Sequence, residues 1–192
     1  HQYPTTAQEH GKLEECNPMQ TGVIKKRRTR PLSEYGTQLK EKQELKHQYN
    51  LREAKFKAYV AEILSKGGAG SSAELLIQKL EKRLDNVVFR MGFGETRKQA
   101  KQLVSHGHFF VNGRAVDISS SMTKKGDKIS VRPSSQNRTL FQNIKLGLKK
   151  YQPPSWIQLD KENMAAEIIG EPTLVEVAPT VEIPLIFEFY SR

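Results

Sequence analysis

The sequence predicts an α+β protein: a mostly helical outer domain, discontinuous along the chain, with a small helix–helix–hairpin module inserted into it. Three observations carry that prediction. Residues 31–82 read as amphipathic helix on either side of a short glycine-rich connector. Residues 83–132 switch from helical to alternating spacing around Gly92-Phe93-Gly94, Gly107 and Asn112-Gly113. Leu185-Ile186-Phe187-Glu188-Phe189-Tyr190, near the end of the sequence, is too apolar to remain in water. It is expected to pack back on the first helices, so the outer domain comprises 31–82 and 133–192.

Residues 1–30 show no periodicity and end in Lys25, Lys26, Arg27, Arg28, Thr29 and Arg30. They form an expected basic arm that orders on a polyanion. The sequence starts with His1 rather than methionine, so a beginning further upstream is expected. Pro31 and Ser33 then open a helix in which Tyr35, Leu39, Leu45 and Tyr49 alternate with Lys40, Lys42 and Lys46, and Asn50 interrupts it. A second helix over about 51–65 gathers Phe56, Tyr59, Val60, Ile63 and Leu64 on one side, and that regular spacing marks core. The connector at 66–72 lacks the Gly-Lys-Ser/Thr ending of a phosphate loop. Beyond it one continuous helix is expected from Ala73 to Met91, with Leu76, Leu80, Leu84 and Val87 inward.

Within the module, Thr96 offers an N-cap with Gln99 three residues on, the pattern of a capping box. The helix that follows places Ala100, Leu103 and Val104 inward and Arg97, Lys98, Lys101 and Gln102 outward, and Gly107 ends it. Asn112-Gly113 is the dipeptide a type I′ hairpin turn requires, between 108–111 and 114–116. Gly126-Asp127 turns again into 128–131. Arg97, Lys98, Lys101, Arg114, Lys124 and Lys125 give this small frame one sign of charge, which suits a phosphate backbone. After the module, 137–150 reads as a helix with Leu140, Phe141, Ile144 and Leu148 inward, and 156–160 as a strand.

The charge balance agrees. The 192 residues carry a formal charge of +10, yet residues 153–192 hold seven acids against two bases. That segment is −5, so residues 1–152 carry +15, and a polyanionic partner meets the first three quarters of the chain. Cys16 is the single cysteine, which excludes an internal disulfide. No apolar run is long enough to span a bilayer, so a soluble chain with no membrane partner is expected.

The segment RLDNVVFRMGFGETRKQAKQLVSHGHFFVNGR resembles the RNA-binding module named after ribosomal small-subunit protein four. With the upstream PLSEYGTQLKEKQ and the closing LIFEFYSR, three separated signatures in order resemble that ribosomal protein family itself, in its bacterial or organellar form. The resemblance implies a structural, non-enzymatic constituent of the small ribosomal subunit, located on cytoplasmic or organellar ribosomes. It implies primary binding of ribosomal RNA that nucleates assembly of the subunit body, and a contribution to decoding accuracy. Its implied partners are small-subunit ribosomal RNA, neighbouring small-subunit proteins, and messenger RNA near the channel by which it enters. RNA is placed on the helix-and-hairpin face.

The candidate RNA contacts are Lys25, Lys26, Arg27, Arg28, Arg30, Lys40, Lys42, Arg90, Arg97, Lys98, Lys101, Gln102, His106, Arg114, Lys124 and Lys125. Arg83 and Asp85 are read as a structural brace, because a carboxylate facing phosphate is repelled. Some relatives hold zinc through several N-terminal cysteines; here Cys16 has only His1 and His10 nearby in sequence, which makes no tetrahedral site. No metal and no cofactor is therefore expected. The glycine-histidine turn usual before PLSEYG is also missing. The rival reading is an RNA-binding module attached to an enzyme, such as a pseudouridine synthase, or standing alone as a ribosome-associated stress factor. An attached enzyme needs a catalytic domain, and the sixty or so residues after the module carry no nucleophile or acid–base constellation. A stand-alone factor has no use for a split outer domain.

Overall fold

The computed structural model describes residues 31–65, 72–177 and 179–191. The basic run Lys25–Arg30, Cys16 and the connector at 66–71 lie outside the described residues. The elements run α1 (Glu34–Gln48), α2 (Glu53–Ser65), α3 (Ser72–Glu81), α4 (Leu84–Arg90), α5 (Arg97–Ser105), β1 (Phe109–Val111), β2 (Arg114–Val116) and β3 (Lys128–Val131). They continue with α6 (Pro133–Gln136), α7 (Thr139–Leu148), β4 (Ile157–Asp160), β5 (Ala165–Ile168), α8 (Leu174–Val177) and α9 (Ile183–Ser191). The architecture is α+β.

Two apolar clusters organise the chain. The first joins Leu45 and Tyr49 of α1, Phe56, Tyr59, Val60 and Ile63 of α2, and Leu76, Ile77 and Leu80 of α3. Ile183 and Ile186 of α9 complete it, so the apolar C-terminal segment does cover the first helices. The second cluster joins Leu84, Val87, Val88, Met91 and Phe93 to Ala100, Leu103 and Val104, and to Phe109, Ile129 and Val131 of the sheet. Residues 133–168, grouped from sequence with the outer domain, put Phe141, Leu148, Trp156, Ile157, Ala166 and Ile168 into this second cluster. The chain returns to the first cluster at Leu174.

The sheet is antiparallel throughout, in the order β2-β1-β3-β5-β4. Asn112 and Gly113 both take positive φ, 50° and 78°, as the type I′ turn demands. β5 has no counterpart in the sequence reading: Ala-Ala-Glu-Ile is neither β-branched-rich nor strictly alternating. It forms because β3 and β4 both have a free edge for it.

The expected continuous helix from Ala73 to Met91 is broken. Arg83 is extended (φ −70°, ψ 138°) and caps α4 without a side-chain bond. The loop before β3 takes the backbone groups released there: Leu84 N–H donates to Ser121 O and Asp85 N–H to Ser119 O. Arg83 itself bridges to Met122. Helical spacing continues across the break, which is why it is invisible in the sequence. Leu140 and Leu64, expected inward, are exposed, whereas Phe141, Leu148 and Ile63 fill the core positions.

Gly92 has φ +83°, and a Cβ there would lie 2.8 Å from the Tyr151 ring. That ring is held by its hydroxyl, which donates to Arg90 O at 2.9 Å. Gly92→Ala is expected to cost roughly 1–3 kcal/mol of stability, read as a shifted urea midpoint. A second prediction concerns Glu53, which accepts from Lys42 (2.8 Å), Lys46 (3.1 Å) and Tyr190 (2.7 Å) and so ties α2 to α1 and α9. Burial opposes its charge, but these three hydrogen bonds outweigh it and hold the carboxyl down to about 2. Because the folded value lies below the unfolded one, the stabilisation is complete above the usual glutamate range and is lost as pH falls toward 2. Glu53→Gln should flatten stability against pH between about 5 and 2, measured by urea melts at each pH.

Candidate nucleic-acid interface

The module is set at a fixed angle to the first helices by a polar seam. Glu81, at the end of α3, is fully buried. It accepts from the Tyr49 hydroxyl at 2.6 Å, from Arg90 through both Nε (2.9 Å) and Nη2 (2.8 Å), and from Asn86 Nδ2. Arg97 reaches the same carboxylate at 3.9 Å and donates from Nε to Asn86 Oδ1 at 2.7 Å. Its guanidinium lies between Tyr49 and Phe89, 4.6 Å from each ring centroid. Burial raises the Tyr49 hydroxyl far above its usual range, reinforced by Glu81, so it stays a neutral donor. Burial also lowers Arg97, opposed by Tyr49 and Glu81. For Arg90 the close pairing with Glu81 outweighs burial and raises it. Beside this cluster Arg83 pairs with Asp85 at 2.6 Å and donates to the Tyr59 hydroxyl at 2.8 Å. The brace read from sequence is therefore present, and it extends to the second helix.

Three candidate RNA contacts are thus engaged inside the protein. Arg90 and Arg97 neutralise Glu81, and Lys42 is buried against Glu53. Charge alone drew them onto the basic face; what the sequence could not display was the carboxylate waiting for each. Seven others point outward: Lys40, Lys98, Gln102, His106, Arg114, Lys124 and Lys125 are exposed, and Lys101 is half-exposed beside them.

α5 presents the most regular part of this surface. Thr96 Oγ1 accepts from Gln99 N–H at 3.1 Å, which fills one of the orphan donors of the first turn, and Gln99 Oε1 accepts from Glu95 N–H at 2.8 Å, which ties the entering chain to the helix. Ala100, Leu103 and Val104 anchor it to the second cluster. Lys98, Lys101, Gln102 and Ser105 then recur at three- and four-residue spacing along the solvent side. Gly107, at φ +71°, releases the chain into β1. His106 is exposed, while His108 is buried and shares a 2.9 Å hydrogen bond with Ser135 Oγ. Burial lowers His108, helped by Arg138, His106 and Arg132, so it sits neutral against Phe141.

Lys124 and Lys125 belong to a different place. Thr123 fixes their loop by donating from its N–H and its hydroxyl to Lys82 O, at 2.8 and 2.9 Å. There they line a cleft with Lys79, Lys82, Ile63, Leu75 and Met122, in which Glu62 pairs with Lys79 and Glu171 with Lys82. Among the described residues, the α5 stripe by contrast has no acid paired to it apart from the Arg97–Glu81 contact at its start.

A short basic helix and a hairpin on one rigid sheet, joined by an ionic seam to a helical support, define a nucleic-acid-binding class of module. Sequence comparison agrees. Residues 82–129 match the family model described as the S4 domain, and residues 3–81 match that of the ribosomal protein S4/S9 N-terminal domain. Similar proteins named small ribosomal subunit protein uS4 include one from Persephonella marina, 45% identical over 91% of this chain and 84% of its own length. Another, from Fusobacterium nucleatum, is 44% identical over 83% of this chain and 80% of its own. A third, from Herpetosiphon aurantiacus, is 42% identical over 86% and 78%. The chain belongs to the family of small ribosomal subunit protein uS4.

Proposed function

We propose that this chain is a structural, non-catalytic constituent of the small ribosomal subunit that binds ribosomal RNA. The single observation that carries the reading is family membership over nearly the whole chain, with an α5 stripe whose lysines have no acid partner among the described residues. Affinity comes mainly from phosphate neutralisation and counterion release by Lys98, Lys101, Arg114 and their neighbours. Selectivity comes from the shape of a multi-helix RNA junction, because the A-form major groove admits side chains poorly. A rigid seam suits that task, since two lobes held at one angle can recognise one arrangement of helices.

The finer roles follow as parts of the same proposal: early binding that nucleates the subunit body, a contribution to decoding accuracy, contacts with neighbouring ribosomal proteins, and a position near incoming messenger RNA. The division into a basic arm, a split helical domain and an inserted module is proposed with it, as is residence on the ribosome. The test is hydroxyl-radical footprinting on naked small-subunit ribosomal RNA. Protection confined to a junction where several helices meet supports the reading; protection scattered along the RNA contradicts it.

A further inference from the structure

Among the described residues, the apolar clusters use one face of the sheet and not the other. Phe109, Ile129, Val131, Ala166 and Ile168 turn inward. Strand alternation sends Phe110, Ser130 and Ala165 to the opposite face. The register sets Ala115, Phe110, Ser130 and Ala165 side by side in one row across β2, β1, β3 and β5. Phe110 belongs to neither apolar cluster and is half-buried. Its row neighbours are alanine and serine, so its ring stands above a low floor. Arg132, two residues beyond Ser130 on that face, is exposed and holds its guanidinium 5.7 Å from the ring centroid. Lys128, two residues before Ser130, is 73% exposed and stands 3.5 Å from the Glu167 carboxylate of β5. Of the acids of this face, Glu167 on β5 pairs with Lys128 and Asp160 on β4 ends the row opposite Ala165, two or more strands from the ring, so Arg132 is the cation set over it.

An aromatic ring with the exposed Arg132 over it, and with Lys128 at its margin able to exchange Glu167 for a phosphate, offers a planar surface and positive charge together. A protein partner needs a broad contiguous apolar area, and one ring beside a small alanine, with serine on its other side, gives only a narrow one. A nucleotide needs a ring to stack on and a cation for its phosphate, and both are here. We infer that Phe110, with Arg132 and Lys128, is a stacking site for one unpaired ribonucleotide, on the face of the sheet opposite α5. The inference rests on the RNA-binding reading and deepens it: the module meets RNA on two sides, helical phosphates along α5 and a splayed base on β1.

The test uses the full chain with two probes, a single-stranded RNA decamer carrying 2-aminopurine and a blunt RNA duplex of the same length. Phe110→Leu should weaken binding of the single strand roughly tenfold and abolish quenching of the 2-aminopurine, while duplex binding stays within about twofold. Phe110→Tyr should restore both signals. Ultraviolet crosslinking of the unaltered protein, which needs no variant to fold, should join a nucleotide to Phe110. The site is overturned if the crosslinks avoid β1, if Phe110→Leu binds the single strand as the parent does, or if it weakens both probes equally. A Lys98→Ala, Lys101→Ala variant separates the two readings. If it loses duplex binding while Phe110→Leu loses nothing, RNA binding stands and the stacking site falls. If the parent binds neither probe, the RNA-binding reading itself falls.

Discussion

Replacing Glu81 by alanine should destabilise the protein by about 3–5 kcal/mol, because it leaves two half-buried arginines without their shared, fully buried carboxylate. Arg90 is bound through two nitrogens and Arg97 approaches at 3.9 Å, with Tyr49 and Asn86 completing the shell. The cluster already holds two guanidinium groups against one carboxylate, so removing the carboxylate leaves uncompensated charge of one sign. Glu81→Gln, which keeps an acceptor for Tyr49, should cost less. At roughly 2–4 °C per kcal/mol for a chain of this size, the alanine variant should melt about 10 °C lower. Differential scanning calorimetry decides it. A loss under about 1 kcal/mol would mean that the seam is solvated in practice.

The second large effect is on RNA. Changing Lys98 and Lys101 to alanine together should lower the slope of log affinity against log salt by about two units, one for each phosphate contact removed. The weakening should be similar across RNA sequences, because on the proposed reading these lysines meet phosphate and not base edges. Melting temperature should hardly move, since among the described residues neither lysine side chain has an ion-pair or hydrogen-bond partner. Arg97→Ala should behave in the opposite way, reducing stability through Glu81 and the Tyr49–Phe89 sandwich. Fluorescence anisotropy over a salt series, run beside thermal melts, distinguishes the two classes. Equal losses from all three positions would contradict the division.

That division marks the boundary of what the sequence displays. Local chemistry was legible: Thr96 and Gln99 cap α5, Gly107 ends it, and Asn112-Gly113 turns the hairpin, because each depends on residues a few positions apart. The Arg83–Asp85 brace was legible for the same reason. The burial of the apolar segment at 185–190 followed from hydropathy alone. Long-range pairing was hidden. Arg97 meets Glu81 across sixteen positions of sequence and Tyr49 across forty-eight, so its positive charge looked available. The break at Arg83 was hidden because Ser119 and Ser121, which take up the freed backbone groups, lie in a loop with no pattern of its own. β5 was hidden because its strand character comes from β3 and β4, not from Ala165-Ala166-Glu167-Ile168. Phe110 was read only as part of a strand. The signal that could have raised it is its adjacency to Phe109: two aromatics in succession on one strand cannot both face the core.

The measurement that bears most directly on the central claim is a salt titration of binding to a small-subunit ribosomal RNA junction fragment, beside a length-matched duplex. Tight junction binding, weak duplex binding and a steep salt dependence shared by both are the predicted result. Equal affinity for the two RNAs would contradict it, and would reduce the protein to a generic basic surface whose rigid seam serves no recognition.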